Sequence, residues 1–131
     1  MIARVALVAL AAGAVAWLAA GIDASRAQDD LGRLVATTAD PDRADLNRAQ
    51  ELRRQAERYV PGRRPSLLEA TMRARTDPAG AARLLEDVVA DEPENAEAWL
   101  LLAQTVEETD PQRAEQAMAR VRALAPNVPD P

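Results

Sequence analysis

The sequence predicts an all-α fold, in which an N-terminal transmembrane helix precedes a short antiparallel array of helices. Ala fills 30 of the 131 positions and only 2% of residues are aromatic, a composition that favours helices over strands. Residues 5–22 form an uncharged apolar run. Asp40-Pro41, Asp77-Pro78 and Asp110-Pro111 then each predict the start of a helix, because Asp caps free N–H groups and Pro tolerates the first helical position.

Residues 1–23 are predicted to be a transmembrane anchor or a signal segment. As a helix, the uncharged run would reach about 27 Å, close to the roughly 30 Å hydrocarbon core of a bilayer. Arg4 before the run and Asp23 after it predict a single-pass membrane protein with a cytoplasmic N-terminus and an extracytoplasmic C-terminal domain. Two alternatives stay open: a signal peptide cleaved after Ala27, which would release a secreted protein, and a buried helix of a soluble protein.

Apolar residues at helical spacing predict six helices between the Asp-Pro and Pro signals. Their predicted bounds are 24–37, 43–60, 65–75, 78–91, 96–108 and 111–124. Residues 24–63 would form a helical pair that is either a degenerate repeat or a cap. Residues 64–126 would form two further pairs, followed by a disordered tail over 127–131.

The two predicted pairs of residues 64–126 are related by an internal repeat with an offset of 33 residues. Thr76-Asp77-Pro78 recurs as Thr109-Asp110-Pro111. Further positions correspond at the same offset: Ala81 with Ala114, Leu85 with Met118, Val88 with Val121, and Pro93 with Pro126. Such fixed-period similarity predicts a solenoid, in which each helix pair buries its apolar face against the next.

The last unit, residues 96–126, resembles a tetratricopeptide repeat. Trp99, Leu102, Ala114 and Pro126 match that family's pattern directly. Ala103, Val106 and Met118 keep the size or apolar character that the pattern requires. The predicted repeat core is Ala81, Leu85, Val88, Pro93, Trp99, Leu102, Ala103, Val106, Ala114, Met118, Val121 and Pro126. With its predicted anchor, the chain is similar to small bacterial membrane-anchored proteins of this family.

The preceding unit, residues 64–93, resembles the family mainly in its second half. In its first helix Ser66, Glu69 and Arg73 stand where the pattern has Trp, Leu and Tyr. This departure leaves open how that helix packs.

The sequence does not point to catalysis, a metal or a cofactor. The chain has no Cys and no His, which excludes thiolate and imidazole chemistry. Acidic clusters at residues 91–94 and 107–110 fall at helix ends and lack the ligand spacing of a calcium loop. We therefore expect no catalytic residue, no metal site, no cofactor and no enzymatic activity. The net charge of -5 and the scarcity of aromatic residues also argue against nucleic acid as a partner.

Charge is distributed unevenly along the chain. Residues 43–75 hold nine Arg against four acidic residues, whereas residues 76–115 hold two Arg against eleven. Arg53, Arg54, Arg63 and Arg64 would contact an acidic partner or lipid phosphates, or would form an ordinary exposed surface.

The family resemblance implies a concave groove that is lined by the first helix of each unit and binds a segment of another protein. Basic residues of that partner would lie over the last unit. The candidate groove residues are Arg64, Leu67, Thr71, Arg75, Glu97, Leu100, Gln104, Glu107 and Glu108.

The expected function is that of a non-catalytic, membrane-tethered scaffold that binds or assembles proteins of the cell envelope. The alternative is a structural subunit of one membrane complex, whose anchor helix makes the specific contacts. A homo-oligomer is also compatible with the sequence, because two repeats usually need a further unit for stability.

Overall fold

The computed structural model describes residues 22–58 and 62–125, which form helices joined by short turns and contain no strand. Helix α1 covers 22–37, and the later helices follow as α2 (Arg43–Glu57), α3 (Arg64–Arg73), α4 (Pro78–Asp91), α5 (Ala96–Val106) and α6 (Pro111–Leu124). From α2 to α6, each helix packs against the next one along the chain. The all-α part of the predicted fold class is therefore confirmed.

The predicted transmembrane helix is contradicted. Among residues 22–58 and 62–125, no helix is both long enough and apolar enough to cross a membrane. Of the run at 5–22, only Ile22 belongs to the described residues. The described part of α1 continues with charged residues such as Asp23, Arg26 and Asp30, which are unfavourable in a bilayer. The predicted single-pass localisation is corrected with it, and the alternative of an anchor helix with specific contacts loses its basis.

Helix α2 begins later than the Asp-Pro pattern indicates. Asp42, not Asp40, is its N-cap: the Asp42 carboxylate accepts from the N–H of Asp45 at 2.9 Å. The Asp45 carboxylate accepts in return from the N–H of Asp42 at 3.2 Å. This reciprocal capping box satisfies two N–H groups at once, which explains why the helix begins at Arg43 rather than beside Pro41.

The turns before α4 and α6 have the same hydrogen bonds, 33 residues apart. In segment 76–78, the N–H groups of Thr and Asp donate to the carbonyl of Arg73 at 3.0 and 2.7 Å. In segment 109–111, they donate to the carbonyl of Val106 at 3.1 and 2.7 Å. The Asp side chain of each segment then accepts from the N–H three residues later, at 2.9 and 3.1 Å. The internal repeat of the sequence is thus also a repeat of backbone geometry.

Three helices, α2, α3 and α5, end two or three residues earlier than predicted. The turns described above replace the last residues predicted for α3 and α5. Tyr59 and Val60, predicted to end α2, lie outside the described residues. Gly62 follows with a φ of 96°, a left-handed conformation that favours glycine, and leads into α3.

Two apolar clusters hold the helices together. The larger lies among α3, α4, α5 and α6, and its buried members are Leu67, Ala70, Ala82, Leu85, Val88, Val89, Ala98, Leu102, Ala103, Val106, Ala114 and Ala117. The smaller joins Leu31 of α1, Ala49 of α2 and Met72 of α3. Helix α3 therefore contributes to both clusters and connects the first helix pair to the repeats.

A buried ionic network also links α2 to α3. The side chain of Glu69 on α3 is 2% exposed. Its Oε2 accepts from Nε of Arg53 on α2 at 2.5 Å, and its Oε1 accepts from Nε of Arg73 at 2.7 Å. Burial of the carboxylate is tolerated because each of its oxygens is paired with a guanidinium.

Each guanidinium of the network has a second carboxylate. Arg53 Nη1 donates to Glu57 at 2.6 Å, and Arg73 Nη1 donates to Asp77 at 3.3 Å. The hydroxyl of Ser66 also donates to Glu57. Burial lowers the pKa of Arg53, but hydrogen bonds and charges from Glu69 and Glu57 outweigh that effect and raise the pKa above its ordinary value.

The network explains how α3 packs despite its departure from the tetratricopeptide pattern. Ser66, Glu69 and Arg73 are the three residues that replace the pattern's Trp, Leu and Tyr. Arg53 and Glu57 of α2 supply polar partners for Glu69 and Ser66, and Arg73 pairs with Glu69. Apolar packing at these positions is therefore replaced by matched charges and hydrogen bonds.

Candidate protein-binding surface

A depression of about 500 Å³ lies between α3 and α5. Five of the nine candidate groove residues line it: Thr71, Arg75, Gln104, Glu107 and Glu108. The depression is also lined by Ala70, Ala74, Pro78, Leu85, Leu101, Thr105 and Thr109. The structure thus brings residues at the end of α3 close to residues at the end of α5, although the corresponding residues, such as Thr71 and Gln104, are 33 positions apart in the sequence.

The other four candidate residues lie elsewhere. Leu67 is 4% exposed and belongs to the larger apolar cluster. Glu97 and Leu100 are exposed on α5 but do not line the depression, and Arg64 lines a different one. Leu101 takes the place expected of Leu100, because one residue along a helix rotates a side chain by about 100°.

A second depression, of about 540 Å³, lies between α1 and α3. Its lining residues are Gln28, Asp29, Gly32, Arg33, Ala36, Arg64 and Leu68. Sequence reasoning did not include α1 in the groove, since α1 has no Trp, Leu and Tyr pattern to mark it. Residues 29, 32, 33 and 36 recur at the three- or four-residue spacing of one helix face. This spacing is the feature of the sequence that could have identified the face of α1 that lines the depression.

The two depressions form one surface. Arg64 and Leu68 line the depression beside α1, and Thr71 and Arg75 line the one beside α5. Arg64, Leu68 and Thr71 recur every three or four positions and therefore share one face of α3, and Arg75 continues this line in the turn after the helix. We call the combined area, defined by the two sets of lining residues, the α1–α3–α5 surface.

Two acidic residues and Arg75 determine the charge of this surface on the side next to α5. In the part of the chain that the structure describes, Glu107 and Glu108 are exposed and form no ion pair. Arg75 donates to the carbonyls of Thr38 and, at 3.3 Å, Ala39, which fastens the end of α1 to α3. The side next to α5 is therefore acidic.

Two of the four Arg residues considered for an anionic contact are already paired within the protein. Arg53 binds Glu69, and Arg63 binds Asp91. Among the described residues, only Arg54 and Arg64 of that set form no ion pair, and both are exposed. A lipid or acidic partner would consequently meet a smaller basic area than the sequence indicates.

Most residues of the predicted repeat core are inside the larger cluster or against it. Eight of these residues are buried: Ala81, Leu85, Val88, Leu102, Ala103, Val106, Ala114 and Val121. Trp99 and Met118 are partly buried against the cluster. Pro93 is exposed and its carbonyl accepts from Nε1 of Trp99 at 3.0 Å, while Pro126 lies outside the described residues.

The α1–α3–α5 surface combines polar and apolar side chains. Its residues offer carboxylates, guanidinium groups, hydroxyls and amides around a small apolar floor. Over 22–58 and 62–125, no group of three Asp, Glu, His or Cys residues is placed to hold a metal ion.

Comparisons with known proteins identify the repeat. No curated protein and no solved structure matches the chain. A family model described as tetratricopeptide repeat matches residues 72–131, which include α4, α5, α6 and both Thr-Asp-Pro turns. Residues 72–131 of this chain are therefore similar to the tetratricopeptide repeat family.

Proposed function

We propose that this protein is a non-catalytic interaction or assembly scaffold that binds a segment of another protein on the depression between α3 and α5. Helical repeat proteins use extended concave surfaces of this kind to bind partners. The observation that carries the proposal is the open depression itself, in which exposed polar groups surround the apolar side chains of Ala74 and Leu101. Its volume of about 500 Å³ has room for side chains that a bound peptide segment would insert between the two helices.

Charge indicates which partner segment would bind there. Glu107 and Glu108 follow the end of α5 on one side of the depression, and Glu97 is exposed near the start of α5. Since none of the three forms an ion pair within the described residues, their charges are available to a partner. We infer that the segment carries Lys or Arg residues that lie over these carboxylates. The envelope partner expected from the sequence depended on the transmembrane helix and has no support here.

Affinity capture with charge-reversed variants tests the proposal. The variant Glu97→Arg, Glu107→Arg, Glu108→Arg should repel a basic segment, so partners captured by the unmodified chain should be lost. A matched control is Asp87→Arg, Glu94→Arg, Glu115→Arg, which changes the net charge equally at exposed residues that neither line the depression nor belong to α5. Circular dichroism should first show that both variants fold. Equal recovery of the same partners by both variants would refute the proposed site.

A further inference from the structure

The α1 side of the surface contains a glycine that the described fold does not require. Gly32 lies inside α1, and apart from its chain neighbours and the backbone of its own helix, no atom of the described residues lies within 4 Å of the place that a Cβ would occupy. Gly is a weaker helix former than Ala, and Ala would fit there without a clash. Packing among residues 22–58 and 62–125 therefore gives no reason for Gly, whereas close approach of another chain to the helix would.

The surroundings of Gly32 carry charge of the opposite sign to the α5 side. Arg33 and Arg64 line this depression, with Asp29 as the acidic residue among its lining. Arg64 forms no ion pair in the part of the chain that is described. Arg33 pairs with Asp30 on the same helix, but both side chains are substantially exposed, and such pairs contribute little and exchange readily.

We propose that the bound segment extends across α1 at Gly32 and carries opposite charges at its two ends. Acidic residues of the segment would lie over Arg33 and Arg64, and its basic residues over Glu107 and Glu108. This inference rests on the proposed function and adds the chemical class of the partner: an extended, dipolar segment rather than a uniformly basic one.

The geometry of packed helices sets the spacing of those charges. Directly packed helices lie about 8–10 Å apart, so α1 and α5 on either side of α3 are separated by at least about 20 Å. An extended chain advances about 3.3 Å per residue. The acidic and basic ends of the segment should therefore be separated by at least about six residues.

Selection from a displayed library of random 12-residue peptides tests this inference on the full chain. Enriched peptides should carry acidic and basic groups separated by at least about six residues. Selection on Arg64→Glu should remove the preference for the acidic group, and selection on Glu107→Arg with Glu108→Arg should remove the preference for the basic group.

The outcomes separate the two proposals. Enrichment of basic residues alone, unaffected by Arg64→Glu, would refute the dipolar segment and leave the α3–α5 site intact. Enrichment that is unaffected by Glu107→Arg with Glu108→Arg, or no enrichment at all, would overturn both.

Gly32→Ala provides an independent measurement on a selected peptide. We expect the melting temperature of the free protein to rise by a few degrees, because Ala stabilises the helix and has space. We expect the affinity for the peptide to fall about tenfold, because a Cβ would hold the bound chain away from α1. Higher stability with unchanged affinity would show that no chain approaches α1 there and would refute the inference.

Discussion

Glu69→Gln tests whether the network between α2 and α3 stabilises the protein as its geometry indicates. The substitution keeps the size of the side chain but removes the charge, and it points an N–H₂ donor at one of two guanidinium groups. Hydrogen bonds to charged groups contribute roughly 1.5–3 kcal/mol each, and the carboxylate accepts two. Both Arg residues keep a second carboxylate and are 18% and 22% exposed, which reduces the loss. We expect a decrease of about 3 kcal/mol in the free energy of unfolding.

Thermal and urea unfolding followed by circular dichroism measure this decrease. For a domain of this size, about 3 kcal/mol corresponds to a fall of roughly 10–20 °C in the melting temperature. Glu51→Gln is the matched control, since Glu51 is exposed on α2 and only accepts from Gln55 at 3.2 Å; its effect should stay below about 0.5 kcal/mol. An equally small effect of Glu69→Gln would refute the reasoning, because it would show that the buried carboxylate is not needed to compensate the two guanidinium groups.

Three further predictions follow from local contacts. Asp42→Ala should cost about 1 kcal/mol by removing the cap of α2, whereas Asp40→Ala should have almost no effect; equal losses in urea unfolding would contradict the capping assignment. Trp99→Phe should cost about 1 kcal/mol, because the ring still packs but its hydrogen bond to Pro93 is lost, and an unchanged denaturation midpoint would argue against that bond. Since the pKa of Arg53 is raised, its contribution is fully present below the ordinary pKa of Arg and is lost only as pH rises through the raised value. The stability difference between the unmodified chain and Arg53→Met should therefore be equal at pH 7 and pH 10, and a decline at pH 10 would contradict this.

Local signals in the sequence predicted much of the fold. The bounds predicted for α4 and α6 are those of the structure, because an Asp cap and a Pro at the first helical position mark each start. The start of α2 was placed correctly at Arg43, but its cap was not identified, since Asp40-Pro41 looks like the other two signals while Asp42 makes the hydrogen bonds.

Features that depend on how helices dock could not be predicted in the same way. The pairing of Glu69 with Arg53 requires that α2 lie against α3, and no spacing within one helix reveals that contact. The part of α1 in the binding surface was missed for a related reason: Gly32 and Arg33 belong to no recognisable repeat pattern and become neighbours of Arg64 only in the folded chain. Leu100 and Leu101 are adjacent in the sequence, and the rotation of about 100° between consecutive helix residues places Leu101, not Leu100, in the lining of the depression.

The position of α3 between two apolar clusters has a consequence for dividing this chain into fragments. The family match begins at Met72, near the end of α3, so a fragment cut at that boundary would lack Leu67 and Ala70. Leu85, now 1% exposed, would then face water where α3 had covered it. The stretch of sequence that is recognisable as a repeat is thus shorter than the stretch that must fold together, and a fragment intended for binding studies should include all of Arg64–Arg73.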